Sequence, residues 1–297
     1  MIPSGMPLRE SEISGPGVPP GVRFTPADLD TDSGSARSRT GVLCLAGSSG
    51  RIDADRARLL AGLGALSESI QWFGAPGQQP APFEVPVELF QGRIEALARE
   101  CDRIVVVGTS FGAEAALVVG SHTPLVDAVV AFAPTDVIWA GVRPDGSQTS
   151  HWTRGGIPLP FVPFDEGWAP DSEPPAFVEQ YRRSRAANLT RTVAAHIDVT
   201  CTPEIVVIAG GDDQVWPSVM SARRIEQRRA AAGLPTVVVT HPLAGHRTVL
   251  PGEPIVAAGM RMARGGTPEA DSALGERAWE AIVSVVAPSR SPARSFE

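Results

Sequence analysis

The chain has 297 residues, of which 43% are hydrophobic, and a formal net charge of −7. This length and composition predict one globular α/β domain, or one domain with an inserted lid. The negative charge argues against nucleic acid as a partner. All 26 basic residues are arginine, which excludes a mechanism that depends on a lysine base or Schiff base.

The two ends of the chain lack the periodicity of packed elements. Residues 1–40 are rich in Gly, Pro, Ser and Asp and predict a flexible arm, with a short strand near "GVRF"; residues 288–297 predict a disordered tail. The chain contains no apolar run typical of a signal peptide or a membrane span, and its three cysteines are widely spaced. We therefore expect a cytoplasmic protein with reduced thiols and no contact with membranes.

Strands and helices alternate along most of the chain. Continuous apolar runs predict buried strands, and apolar residues at helical spacing predict helices that cover them. In chain order the predicted elements are a strand at 41–47, a helix at 53–64, a strand at 65–73, a helix at 85–100, strands at 103–108 and 125–134 with a helix between them, a strand at 203–211, a helix at 218–233, a strand at 235–242 and a helix at about 272–287. This order predicts a mostly parallel sheet with helices on both faces.

Residues 135–200 interrupt the alternation. They are rich in proline and tryptophan, and "HWTRGGIPLPFVPF" has neither a helical nor a strand period. A long irregular stretch inside a domain is usually functional, so we expect this insertion to be a lid over the site.

The sequence "GTSFG" at residues 108–112 matches the G-x-S-x-G nucleophile elbow. In that motif a serine stands on a strained turn between a strand and a helix, and the glycines let the chain approach itself closely. Here a strong strand precedes the motif and a helical pattern follows it, as the motif requires. Ser110 is therefore the predicted nucleophile.

A serine nucleophile needs a base and an acid that orients the base. Two later loops, both at carboxyl ends of predicted strands, offer them: one contains Asp212 and Asp213, the other His246. The residues alone do not separate Asp212 from Asp213, and His241 competes with His246. The remaining histidines do not follow the last predicted core strand.

The chain resembles the catalytic domain shared by acyl-CoA thioesterases and bile acid-CoA:amino acid N-acyltransferases, α/β-hydrolases related to dienelactone hydrolases. The resemblance implies an α/β-hydrolase fold over residues 41–287, with Ser110 as nucleophile, Asp213 as acid and His246 as base. It rests on the following segments: "LAGSSG", "RARLLAGLG", "VPVELF", "GTSFGAEAAL", "SHWTRGGIPLPFVPF", "GGDDQVWPS" and "AGHRTVLP".

Several further expectations follow from this resemblance. The oxyanion hole would use the backbone N–H groups of Phe111 and Ser48. Four aromatic or apolar residues of the insertion either line an acyl pocket or only pack the lid against the sheet. These residues are Trp152, Leu159, Phe161 and Phe164. The segment "YRRSRAANLTR" either meets the phosphates of coenzyme A or is merely a solvated helix face. No metal or cofactor is expected.

Three hypotheses about function remain at this point. The first is a serine hydrolase that cleaves an acyl thioester or another ester, including a carboxylester or dienelactone-type substrate. The second is an acyltransferase that passes the acyl group to an amine or alcohol, and the third is a hydrolase-like scaffold without activity. The amino-acid-conjugating relatives use cysteine where this chain has Ser110, and this difference favours hydrolysis. Many relatives also carry a β-sandwich before the catalytic domain, and we expect the 40 residues here to be too few for one. The partner is expected to be a small molecule, and the oligomeric state is left open.

Overall fold

A central eight-stranded sheet organises the computed structural model, which describes residues 7–27, 39–255 and 260–287. The strands in these ranges are β1 (Leu8–Ile13), β2 (Gly21–Pro26), β3 (Thr40–Leu45), β4 (Leu66–Ile70), β5 (Val85–Pro86), β6 (Arg103–Thr109), β7 (Ala128–Phe132), β8 (Ala140–Val142), β9 (Gln148–Ser150), β10 (Trp152–Arg154), β11 (Ile157–Pro158), β12 (Glu204–Gly210) and β13 (Val237–His241). The helices are α1 (Ala54–Ala61), α2 (Val87–Ala98), α3 (Phe111–His122), α4 (Val178–Ala187), α5 (Leu189–Ala194), α6 (Ser218–Ala231) and α7 (Pro268–Val286).

The sheet is mostly parallel. Its strand order is β1-β2-β4-β3-β6-β7-β12-β13, and only the pairings that involve β2 are antiparallel. The predicted strands from residue 41 onward are thus confirmed, as are the helices between them. The predicted tail at 288–297 lies outside the described residues.

Two apolar cores lie on opposite faces of the sheet. On one face, the buried sides of α2, α3 and α6 pack against alternate strand residues such as Leu43 and Val106. On the other face, α1 and α7 cover the intervening residues, including Val42 and Val105. Side chains alternate between the faces of a strand, and continuous apolar strands therefore supply both cores.

The expectation of a flexible arm over residues 1–40 was wrong for the two strands β1 and β2. Strand β2 includes the short strand expected near "GVRF" and joins the sheet beside β4. A buried ion pair supports this junction, because the fully buried Glu68 of β4 accepts hydrogen bonds from Arg23 of β2 and from Arg93. Strand β1 is an edge strand whose side chains are mostly exposed, which is why its sequence lacks an apolar signal.

The insertion at residues 135–200 is more ordered than expected. It contains four short strands and the helices α4 and α5, and its own residues Trp139 and Trp152 are buried. Short strands and aromatic packing leave no long periodic pattern in a sequence, which explains the expectation of an irregular stretch. Its role as a lid stays a prediction.

The predicted site residues follow the carboxyl ends of three parallel strands. Ser110 follows β6, Asp213 lies beyond β12, and His246 lies beyond β13. The strand order brings these loops to one edge of the sheet, although the residues are far apart in sequence. None of the helices in the described part of the chain is both long and apolar enough to cross a membrane.

Candidate active site

Ser110 stands on a tight turn between β6 and α3. Its backbone has φ 58° and ψ −121°, a conformation that an L-residue adopts only under constraint. A Cβ atom at Gly108 would overlap the carbonyl oxygen of Gly112, and one at Gly112 would overlap the carbonyl oxygen of Leu45. Both glycines of the motif are therefore required by close backbone approach.

A chain of hydrogen bonds joins Ser110, His246 and Asp213. The Ser110 Oγ lies 2.9 Å from Nε2 of His246, and the other ring nitrogen, Nδ1, lies 2.9 Å from Asp213 Oδ2. Each of the three residues is at most 7% exposed. The buried imidazole therefore lies between a carboxylate on one side and a hydroxyl on the other.

The loop after β12 places the two adjacent aspartates differently. Oδ1 of Asp213 accepts the backbone N–H groups of Val215 and Trp216, which hold the carboxylate beneath His246. Asp212 instead accepts the backbone N–H of Gly266 at 2.8 Å, so it fastens a neighbouring loop.

The competing histidine lies elsewhere in its loop. His241, the last residue of β13, accepts the backbone N–H of Leu243 through Nδ1 at 3.3 Å. The backbone N–H of His246 donates to the carbonyl of Arg264 at 2.9 Å, which fixes the position of its ring. The structure thus brings His246, and not His241, to Ser110.

The two residues predicted to supply the oxyanion hole border the same cavity as Ser110. Phe111 begins α3, so its N–H belongs to the first turn, where amides have no partner within the helix. Ser48 belongs to the loop after β3, and a side chain at the adjacent Gly47 would bring its Cβ atom to 3.0 Å from the Cβ atom of Ser110. Their role as oxyanion donors stays a prediction.

A cavity of about 450 Å³ opens beside Ser110 and His246. Of the four residues proposed for an acyl pocket, Phe164 lines it, whereas Leu159 and Phe161 pack against the core and Trp152 is fully buried. Trp152 packs against Trp72, with ring centroids 5.4 Å apart. Trp152, Leu159 and Phe161 therefore do not line this cavity, and a role for them in acyl binding stays a prediction.

Several lining residues escaped the sequence analysis. The apolar wall includes Phe177, Tyr181, Val215, Met260 and Met262. Tyr181 lies in the arginine-rich segment, whose composition is typical of a solvated helix face. No pattern in the sequence distinguishes these side chains from ordinary packing residues.

Residues 85–287 match the sequence model of one protein family, described as BAAT / acyl-CoA thioester hydrolase C terminal. The match covers more than half of the chain and includes Ser110, Asp213 and His246. The chain belongs to this family. A comparison with curated proteins gives no significant match.

Solved structures with the same architecture include two hydrolases. The chain is 12% identical to a protein assigned as a dienelactone hydrolase from Klebsiella pneumoniae, with a TM-score of 0.51 and coverage of 95% of this chain and 99% of that one. It is 15% identical to a puromycin-hydrolyzing peptidase from Mycobacterium tuberculosis, with a TM-score of 0.54 and coverage of 98% of this chain but only 40% of the peptidase. These similarities confirm the α/β-hydrolase fold, and the family match supports an enzyme of the hydrolase or acyltransferase type.

A buried ion pair lies behind the nucleophile in this member of the family. Arg56 of α1 donates to Glu253 at 2.6 Å and to the hydroxyl of Thr109, the neighbour of Ser110, at 2.7 Å. Burial lowers the pKa of Arg56, but the carboxylate of Glu253 outweighs this effect and leaves the pKa raised. The pair connects α1 and the segment after His246 to the elbow. No local pattern indicates it, because its members are 197 residues apart.

A second buried carboxylate connects the insertion to the elbow helix. Glu114 lies in the first turn of α3. Its Oε1 atom accepts hydrogen bonds from the backbone N–H of Trp139 and the indole N–H of Trp152. The same oxygen is hydrogen-bonded to Nδ1 of His151. The His151 ring also packs on Phe111, with centroids 4.3 Å apart. One carboxylate oxygen thus fixes the insertion relative to the residue that follows Ser110.

Replacing Glu114 with alanine is expected to lower the free energy of unfolding by about 3 kcal/mol, because the substitution leaves three buried donors without an acceptor. Glu114→Gln keeps an acceptor oxygen and should lose less, about 1 kcal/mol. Urea unfolding followed by tryptophan fluorescence measures both. Glu95→Ala, on the exposed side of the neighbouring α2, is the control and should change stability by less than about 0.5 kcal/mol. Equal losses in Glu114→Ala and Glu95→Ala would contradict this role.

Proposed function

We propose that this protein is a serine hydrolase that cleaves acyl thioesters through an acyl-enzyme on Ser110. The observation that carries the proposal is the hydrogen-bonded chain from Ser110 through His246 to Asp213 at the wall of a partly apolar cavity. The family description adds the substrate class, since it names hydrolysis of acyl-CoA thioesters.

The first half of the reaction acylates the serine. His246 removes the hydroxyl proton of Ser110 through Nε2 as Oγ attacks the thioester carbonyl carbon. Asp213 holds the ring in the tautomer with a proton on Nδ1 and stabilises the imidazolium that forms. The oxygen of the tetrahedral intermediate binds the N–H groups of Phe111 and Ser48. The carbon–sulfur bond then breaks, and His246 returns the proton to the departing thiol.

The second half restores the enzyme. A water molecule gives its proton to His246 and attacks the ester carbonyl, and the carbon–Oγ bond breaks as the proton passes to Ser110. The acyl group leaves as a free acid. Transfer of the acyl group to an amine is the second candidate, because the family description also names BAAT. We favour water as the acceptor because an oxygen ester on serine resists amines more than the thioester that a cysteine would form.

Ser110→Ala is expected to abolish labelling by a fluorophosphonate and to lower hydrolysis of a medium-chain acyl-CoA by about a thousandfold or more. The loss follows from the absence of the attacking oxygen. Intact-protein mass and thiol release measure the two effects. The matched control is Ser121→Ala, near the other end of α3, where the hydroxyl only donates to the carbonyl of Val118. Labelling that persists in Ser110→Ala would exclude Ser110 as the nucleophile.

The two histidines of the β13 loop offer a direct comparison. His246→Ala should lose activity by a similar factor to Ser110→Ala, since the ring nitrogen that lies 2.9 Å from the Ser110 hydroxyl is removed. His241→Ala should keep most of the activity, because its ring bonds only to Leu243 among the described contacts. Steady-state rates of both purified variants show which histidine is the base. Loss of activity in His241→Ala alone would assign the base to His241.

The product distinguishes hydrolysis from transfer. We expect free acid as the sole acyl product when a medium-chain acyl-CoA reacts in the presence of glycine, taurine or other amines. Mass spectrometry of the mixture measures acid and amide together, and a reaction without amine is the control. An amide as the main product at millimolar-scale acceptor would establish the enzyme as an acyltransferase.

A further inference from the structure

The single tyrosine of the chain lies in the wall of the cavity. Tyr181 belongs to α4 in the insertion, and only 6% of its surface is exposed. Its ring packs edge-on against three aromatic rings, with centroids 4.7 to 5.5 Å away: Trp139, Phe164 and Trp216. Contacts on several sides hold the phenol in one place, so the position of its hydroxyl oxygen is fixed before a ligand enters.

The hydroxyl of Tyr181 has no hydrogen-bond partner among the residues that the structure describes. The fully buried side-chain atoms without a partner in that part of the chain are Glu114 Oε2, Arg185 Nε and Arg228 Nε. The phenol oxygen is not among them, so it is not sealed in the core and opens to the cavity that the side chain lines. A donor in an apolar wall is stabilised when a ligand supplies the missing acceptor.

The surroundings of this hydroxyl keep it protonated. Burial raises the pKa of the Tyr181 phenol, and the carboxylates of Glu114 and Asp213 raise it further. The group therefore remains an uncharged O–H donor at neutral pH. The same two carboxylates repel an anion at this position, which favours a neutral oxygen as the acceptor.

Tyr181 belongs to the aromatic wall of the cavity. One apolar cluster contains it, and three cavity residues pack against that cluster: Phe111, Phe164 and Phe177. Charged lining residues such as Arg51 come from a different part of the chain, the loop after β3. An acyl chain gains free energy by leaving water for aromatic rings, whereas a polar leaving group does not. The phenol is thus placed to meet the acyl chain.

We propose that the Tyr181 hydroxyl is a specificity-determining donor for acyl groups that carry a neutral acceptor oxygen, such as a ketone, ether or hydroxyl oxygen, along the chain. This subsite rests on the proposed function, because the reacting carbonyl lies at Ser110 while the chain follows the aromatic wall. A plain hydrocarbon chain covers the phenol without giving it a partner and binds less tightly for that reason.

The other polar side chains of α4 do not take this role. Arg185 is buried in an ion pair with Asp136 at 2.7 Å, and Arg183 pairs with Asp165 at 2.8 Å. No arginine of residues 181–191, all of which the structure describes, lines this cavity. The arginine-rich segment therefore contributes an aromatic hydroxyl to the cavity and not a group of cations.

The test compares octanoyl-coenzyme A with four derivatives that carry a ketone at the fourth, fifth, sixth or seventh carbon of the acyl chain. All five substrates share one leaving group, so the ratio of kcat/KM values, ketone over plain chain, isolates the contribution of the added oxygen. Tyr181→Phe removes the hydroxyl and keeps the ring. The matched control is Ser184→Ala on the same helix, which removes a buried hydroxyl that accepts the N–H of Asp165 at 2.8 Å and lies outside the cavity lining.

We expect the ratio to fall about fivefold or more in Tyr181→Phe for at least one ketone position, because one hydrogen bond between neutral groups is lost. The ratios in Ser184→Ala should stay within about twofold of wild type, since its hydroxyl does not reach the cavity. Unchanged ratios in Tyr181→Phe at all four positions would overturn the subsite, even if all five rates fell together. An equal fall of the ratios in Ser184→Ala would overturn it as well.

A binding measurement separates this proposal from the proposed function. Because the chain contains one tyrosine, an NMR label at the phenolic carbon gives one resonance that reports on this hydroxyl. In the Ser110→Ala background, the preferred ketone derivative should shift this resonance more than octanoyl-coenzyme A does. Its dissociation constant, measured by calorimetry, should rise about fivefold when Tyr181→Phe is added.

Equal shifts with both ligands, or a dissociation constant that does not respond to Tyr181→Phe, refute the subsite. If Ser110→Ala retains full turnover while binding of the ketone derivative depends on Tyr181, the serine mechanism fails and the subsite stands.

Discussion

The close crossing of the backbone at Gly108 and Gly112 is the constraint on which the site depends. The start of α3 can lie against the ends of β3 and β6 only because both positions are glycine, since a Cβ atom at either would overlap the backbone. The crossing forces Ser110 to a positive φ, at a cost of about 1–3 kcal/mol for a residue other than glycine. The sheet can hold this strain because β6 is hydrogen-bonded on both sides, to β3 and to β7. The serine hydroxyl is thereby presented beyond the sheet edge.

The partners of Ser110 are each held by hydrogen bonds to the backbone of neighbouring loops. Backbone N–H groups fix Asp213, the carbonyl of Arg264 fixes His246, and Asp212 fastens the loop at Gly266. The Arg56–Glu253 pair then ties the segment after His246 to the hydroxyl of Thr109. Buried ion pairs contribute little net stability when compared with apolar replacements, but the loss of one partner is costly. Such pairs therefore fix the relative positions of loops more than they stabilise the fold.

Local sequence signals were sufficient for the elements that carry the site. Continuous apolar runs predict β3, β6, β7 and β12, and the spacing of the glycines around Ser110 predicts the elbow. The features that the sequence did not predict depend on tertiary context. Strand β1 exposes most of its side chains and has no apolar signal, and nothing in the sequence says whether an aromatic residue faces a cavity or a core. Trp152 and Phe164 lie twelve residues apart in one apolar-rich segment, yet only Phe164 reaches the cavity. The difference between Asp212 and Asp213 likewise depends on which carboxylate accepts the N–H groups of the following turn.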